Sequence, residues 1–285
     1  MTAPFFCYQL ADALSGFLPK EALSAAARIF SRIYTAIFIK EFESAALNLQ
    51  AAFGGTLSQK ALRGKIAEMV SNFSVSFVEL FYSKRLTEDS IRKSVETASL
   101  AILDDTLKKK RGVILASAHL GHWELGGMVL ARLGYPLYGM ALKHTDPKIE
   151  TVFGRLRKRG GVNVVLLGQT PRECYRVLRE NKILGIVADR LFGSGKGIEV
   201  EFMGRRVHFP DGIARLSLST GAPVVPVFFI KTANERYKME LENPIEADNE
   251  AGIVQRFAAI LEEKIKKYPT QWFIFQPFWE KPRWP

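Results

Sequence analysis

The chain of 285 residues is 47% hydrophobic and 24% charged, which supplies one large core and excludes disorder, collagen and continuous coiled coil. Forty Lys and Arg against 29 Asp and Glu leave a formal charge of +11, an excess that attracts anionic partners: nucleic acid, a phospholipid surface, or an acidic protein or substrate. With two cysteines, Cys7 and Cys174, a disulfide framework is excluded and a reducing compartment is expected.

No run reaches the roughly 18 to 20 uncharged apolar residues of a spanning helix. Met1 to Pro19 has no basic start and no small-residue cleavage site, and Asp12 interrupts its apolar run, so it does not read as a secretory signal. Its Phe5, Phe6, Tyr8, Leu10, Phe17 and Leu18 suit a segment lying at a membrane surface.

Up to about residue 108 the pattern is helical. From Glu21 to Lys40, Leu23, Ala27, Phe30, Ile33, Tyr34, Ile37 and Phe38 recur at helical spacing, and this stripe is expected to pack on the rest of the fold. Further helices are predicted at 41–53, stopped by Gly54 and Gly55, at 58–83 with Phe73, Phe77 and Phe81, and at 87–104 behind a Thr87 cap. Beyond residue 108, short Val- and Ile-rich runs at 112–118, 137–142, 163–167, 183–188 and 223–230 read as buried strands. Helices are predicted between them at 123–132, 146–159, 171–180, 212–220 and 250–267, and half-exposed strands at 198–203 and 236–241. This alternation predicts an α/β fold, a mainly parallel central sheet flanked by helices. With no repeat and no linker, residues 1–285 are expected to form a single domain, a helical N-terminal layer (1–107) on an α/β core (108–285).

The segment Ser117-Ala118-His119-Leu120-Gly121-His122-Trp123-Glu124 follows a predicted buried strand and opens a predicted helix, where α/β proteins place their sites. His119 falls in the strand-end turn and Glu124 in the first helical turn. A carboxylate turned back onto the imidazole would fix its tautomer and leave the other nitrogen free to take a proton from a hydroxyl. With no nucleophile in the pair, direct transfer to a bound alcohol fits better than a covalent intermediate. A purely structural histidine is the plain competing reading. A metal site from His119, His122 and Glu124 is disfavoured by ligand spacing and by the scarcity of further His and Cys, and no metal is expected. Gly193 to Gly197 fails as a phosphate loop, because Arg190 stands where Gly is needed and Gly197 where Ser or Thr is needed.

His119 to Glu124 fits the H-x4-D/E motif of the glycerolipid acyltransferase superfamily, and Ser-Ala-His-Leu-Gly-His-Trp-Glu resembles the version in bacterial late lipid A acyltransferases and their relatives that acylate mannosylated phosphoinositides. The resemblance extends over nearly the whole chain: Asn48-Leu49, Gly160-Gly161-Val162, Ala188-Asp189-Arg190, Val200 to Arg205, Phe209 to Gly212, Thr220 to Val227, and Tyr268-Pro269-Thr270-Gln271-Trp272. His122 departs from the family's frequent Asn, and the residues after Trp272 depart as well. The resemblance implies a glycerol-3-phosphate acyltransferase-like fold and transfer of an acyl group from a thioester of acyl carrier protein or CoA to a hydroxyl of a lipid A precursor or similar glycolipid. It implies no cofactor beyond that co-substrate, and a peripheral position on the cytoplasmic face of the inner membrane. His119 is then the general base held by Glu124, Arg159 and Arg190 bind phosphate, and Asp189 orients Arg190 or the acceptor hydroxyl. Other acceptors, a phosphoinositide mannoside or an aminolipid, compete within this class. From other classes, a basic nucleic-acid-binding protein lacks a recognition signature, and a serine hydrolase lacks G-x-S-x-G.

Overall fold

The apolar-patterned stretches before residue 108 form helices in the computed structural model, which describes residues 5–167, 171–191 and 197–279. They are α1 (Phe5–Phe17), α2 (Lys20–Ile37), α3 (Glu43–Ala52), α4 (Gln59–Tyr82), α5 (Glu88–Ser94) and, after the two-residue strand β1 (Val95–Glu96), α6 (Leu100–Leu107). Ser58 caps α4, and Thr87 with Ser90 closes a capping box on α5. The single helix expected over 87–104 is interrupted because β1 extends the sheet, pairing parallel with Tyr237 and Lys238.

The second half alternates as its pattern predicts: β2 (Val113–Ser117), α7 (Trp123–Arg132), β3 (Leu137–Ala141), α8 (Pro147–Arg159), β4 (Asn163–Leu166), α9 (Pro171–Arg179) and β5 (Ile183–Val187). After them come β6 (Ile198–Phe202), β7 (Arg205–Phe209), α10 (Gly212–Thr220), β8 (Val224–Lys231), β9 (Tyr237–Leu241) and α11 (Glu250–Lys267). Seven strands form one sheet in the order β1-β9-β8-β2-β5-β3-β4, parallel at every step except the antiparallel pair β8–β9. The fold is thus α/β with a mainly parallel sheet flanked by helices. Strand β7, not anticipated, pairs antiparallel with β6 in a separate hairpin.

Successive residues of a strand point to opposite faces, and β2 divides accordingly. Ile114 and Ala116 join α9, α10 and α11 in one buried cluster, while Val113 and Leu115 join α5, α6 and α7 in another. The N-terminal layer is bolted to this core by Asn48 of α3, fully buried, which donates to the carbonyls of Ile274 and Gln276 at 3.0 and 2.9 Å and accepts from Phe278 N at 3.3 Å.

Helix α2 packs the opposite way from expectation. It lies along α4 with Ser24, Ser31 and Thr35 buried, leaving Ile29, Phe30, Ile33 and Ile37 exposed. Small side chains let two helix backbones approach closely. Burying two of these hydroxyls costs little, since Ser31 Oγ donates to Arg28 O at 3.0 Å and Thr35 Oγ1 to Ser31 O at 2.7 Å. Among the described residues no single helix is long and apolar enough to cross a membrane; α2 and the following helical segment to Ala52 pass that test only as a pair bent by 97°.

Replacing Asn48 with Ala strands the buried Ile274 carbonyl and also removes the partner of the more exposed Gln276 carbonyl and Phe278 amide. The Asn48→Ala variant is expected to lose roughly 1–3 kcal/mol of unfolding free energy, measured by urea denaturation, because a buried polar group left unsatisfied costs about that much.

Candidate active site

Strands β2 and β5 are parallel neighbours in register, with Ser117 beside Val187. Two residues past each strand end stand His119 and Asp189, so the register alone brings them side by side at the carboxyl edge of the sheet. The imidazole Nδ1 lies 2.7 Å from Asp189 Oδ1, and the backbone N–H of His119 donates to Asp189 Oδ2 at 2.9 Å. Ala188 N donates to Ser117 O at 2.8 Å, which continues the ladder to the edge of the pair.

Asp189 is fully buried. Burial works to raise its carboxyl, but the charge and hydrogen bonds of His119, with Arg190 beside it, prevail and hold it below the ordinary carboxylate value. An ionised carboxylate accepts only, so Nδ1 carries a proton in either charge state of the ring, and in the neutral imidazole Nε2 is the nitrogen left with its lone pair. Trp123 packs edge-on against the ring at 4.9 Å between centroids and limits its rotation.

The turn is held from beneath by the Pro269-Thr270-Gln271-Trp272 segment. Gln271 exchanges two hydrogen bonds with the backbone of Lys231 in β8, and its carbonyl accepts from Gly121 N at 2.9 Å. Trp272 directs Nε1 toward Asp189 at 3.4 Å, and Phe273 N donates to His119 O at 2.7 Å. Gly121 has φ +69°, and a Cβ there would stand 2.2 Å from Phe229 O, so this position accepts only glycine. His122 N donates to that same carbonyl at 2.7 Å, and His122 Nδ1 caps α7 by accepting from Leu125 N.

Glu124 does not hold His119, which corrects the sequence expectation. The first turn of α7 aims it at α8, where Arg157 donates from Nε and Nη2 at 3.2 and 2.5 Å. Burial works to lower the Arg157 pKa, but Glu124 overrides it and holds the guanidinium above its ordinary value. Arg159, expected at the phosphate, is not brought to the dyad: it lies near Asp12 in a separate depression with Arg155 and Lys84. The apolar stripe Ile149, Val152 and Leu156 turns Arg157 inward and leaves Arg159 off it. Arg190 does line the site and donates to Gln276 Oε1. Residues 193–196 of the rejected phosphate loop fall outside the described residues.

His119 opens into a cavity of about 630 Å³ between the sheet, α4 and α7. Leu80, Leu115, Leu130, Leu137 and Phe229 give it an apolar wall, and Glu124, His144, Arg157 and Arg190 are among its polar lining residues. Phe73 and Phe77 of α4 line it, while Phe81 packs in the core cluster of Met128 and Val152. Among the described residues no three His, Cys, Asp or Glu side chains gather as a metal would need.

The sequence pattern that describes the bacterial lipid A biosynthesis acyltransferases matches residues 3–281. The chain belongs to this family. It is accordingly an acyltransferase, of the lipid A and phosphatidylinositol mannoside type. A phosphatidylinositol mannoside acyltransferase of Mycolicibacterium smegmatis is 24% identical over 75% of this chain and 72% of its own length. The lipid A biosynthesis palmitoleoyltransferase of Escherichia coli is 25% identical over 86% of this chain and 81% of its own. The crystal structure of the 1-acyl-sn-glycerophosphate acyltransferase of Thermotoga maritima overlays 90% of this chain on all of that one with a TM-score of 0.40 at 12% identity.

One titration in this acyltransferase is a direct test of the site's packing. Burial pushes the His122 imidazole down to about 4, so protonation is penalised in the folded state. Its contribution to stability is complete above the unfolded value of about 6.5 and is lost as pH falls from there toward 4, by about 3 kcal/mol in total. His122→Asn, which retains a capping side chain, is expected to remove that slope when urea unfolding is compared at intervals between these pH values.

Proposed function

We propose that this enzyme transfers a fatty acyl group from a thioester of acyl carrier protein or CoA to a hydroxyl of a lipid A precursor or similar glycolipid, at the cytoplasmic face of the inner membrane. The observation that carries the reading is the His119–Asp189 contact of 2.7 Å at the edge of an apolar cavity of about 630 Å³. The cavity accommodates the acyl chain, since apolar walls with a few convergent polar groups suit a ligand that is mostly hydrocarbon. His119 Nε2 takes the proton of the acceptor hydroxyl as its oxygen attacks the thioester carbonyl. The carbon–sulfur bond then breaks, the new ester forms, and the imidazolium returns the proton to the departing thiolate. Asp189, a positioning residue, sets the tautomer and balances the imidazolium charge.

The oxyanion of the tetrahedral intermediate needs donors. The lining offers the Arg190 guanidinium and the N–H groups in the first turn of α7 other than Leu125, which His122 caps. Arg190 also offers a fork for a phosphate of acceptor or carrier. Glu124 and Arg157 form a fixed pair in the cavity wall that shapes the acceptor side. A phosphoinositide mannoside is the second reading of the acceptor, favoured by the mycobacterial relative.

The expected outcome of mass spectrometry on total lipids, from cells with and without the gene, is one glycolipid species shifted by the mass of a single acyl group. A gene copy carrying His119→Ala should fail to restore that species, and an unchanged lipid profile would contradict the reading. With purified enzyme, His119→Ala should lower turnover at least ~10³-fold and Asp189→Asn roughly 10²- to 10⁴-fold, both with unchanged circular dichroism.

A further inference from the structure

Helix α2 is amphipathic in the reverse sense for a helix on a water-soluble surface. Its buried side carries Ser24, Ser31 and Thr35, and its exposed side carries Ala22, Ala25, Ala26, Ile29, Ile33 and Ile37 at helical spacing. Ile29, Phe30 and Ile37 are 63, 71 and 66% exposed. The apolar surface continues past both helix ends, through Phe17, 89% exposed, before α2 and Phe38 after it. At about 1.5 Å per residue the 18 residues of α2 extend it over roughly 27 Å. Scattered exposed apolar residues are ordinary, but a contiguous stripe of this length marks an interaction surface.

We infer that the exposed face of α2 is the membrane-docking surface of this enzyme, lying in the interfacial plane of an anionic bilayer with the mouth of the acyl cavity brought down to the lipid. This inference rests on the proposed lipid acceptor, and three observations select a bilayer as the occupant. The stripe is a single convex helix side, which suits a yielding lipid surface better than a protein groove. Exposed Arg32 and Lys40 border it, and the chain's charge of +11 complements anionic headgroups. The face is also tied rigidly to the cavity through packed aromatic rings. Tyr34 of α2 meets Phe42 at 6.2 Å between centroids, Phe42 meets Phe275 at 6.2 Å, and Phe275 meets Phe73 at 5.2 Å. Phe73 is 39% exposed and lines the same cavity as His119.

The geometry has α2 lying on the membrane and not through it. Lys20, Glu21, Arg28 and Arg32 interrupt its length, and the chain turns by 97° where it ends. Arg28 is held down by Glu235 on the protein side, leaving the outer face to Ala, Ile and Phe. This adds α2 to the membrane contact expected of residues 1–19, of which Leu10, Phe17 and Leu18 are exposed. Tyr8 of α1 packs inward on Phe77 and Phe153, and the side chains of Phe5 and Phe6 lie outside the described residues.

The test is the triple variant Ile29→Gln, Ile33→Gln, Ile37→Gln in the full chain, at positions exposed enough to leave the core intact. Cosedimentation with vesicles of phosphatidylethanolamine and phosphatidylglycerol is expected to show wild-type binding, with the variant's partition coefficient at least ~10-fold lower. Acyl transfer to acceptor lipid embedded in those vesicles should fall in parallel, while transfer to the same lipid in detergent micelles stays at the wild-type rate. Undiminished vesicle binding by the variant would overturn the docking face. So would light scattering that finds a wild-type dimer converted to monomer by the variant, which would make the stripe a subunit interface. If the wild type transfers no acyl group in either medium, the proposed reaction fails, and the sedimentation result still decides the docking face by itself.

Discussion

Everything in the site depends on two neighbouring parallel strands being in register. Because Ser117 pairs with Val187, the residues two positions beyond them meet, and a histidine and an aspartate are held together by backbone geometry before any side-chain preference acts. The Asp189 carboxylate would be costly to bury alone. Its hydrogen bonds to the ring and the backbone amide of His119 offset that cost. The same contacts leave the imidazole with a defined tautomer. A structural necessity, satisfying a buried charge, and a chemical one, orienting a base, are met by one pair of residues.

The surroundings hold that pair in place, Trp272, Phe273 and Trp123 by direct contact with it. The Gln271 and Trp272 segment, carried behind α11, closes the floor under the turn, and Asn48 ties the chain just after it to the N-terminal layer. The helical layer is therefore part of the site and not an appendage, since α4 supplies one wall of the cavity and its neighbour α2 supplies the outward apolar face. Sheet, cavity and exposed helix form one mechanical unit, linked by the rings from Tyr34 to Phe73.

Much of this was legible in the sequence. The change from helical periodicity to short Val- and Ile-rich runs near residue 108 placed the core, and the strand-turn-helix context placed His119. Nearness in sequence points His119 to Glu124, whereas proximity across a parallel sheet depends on register, which periodicity does not carry. The signal was nevertheless present: Ala118-His119 and Ala188-Asp189 follow two buried runs at the same offset. Within α8 the phase of Ile149, Val152 and Leu156 already turns Arg157, and not Arg159, inward. The orientation of α2 was hidden for a different reason. An apolar stripe names a helix face that avoids water, and only the packing of Ser24, Ser31 and Thr35 on α4 tells whether protein or lipid covers it. Strand β7 escaped notice because Arg205, Arg206 and His208 make it polar, which a two-stranded hairpin outside the main sheet tolerates.

The central claim is that Asp189, reaching across from the neighbouring strand, sets the His119 tautomer. Long-range ¹H–¹⁵N NMR of histidine-labelled enzyme measures this directly, above about pH 7.5 where an ordinary imidazole is neutral. The account predicts that His119, assigned by its absence in His119→Ala, is protonated on Nδ1 with Nε2 bare, and that Asp189→Asn disturbs this pattern. Protonation on Nε2 in the wild type, or a spectrum indifferent to Asp189→Asn, would contradict it.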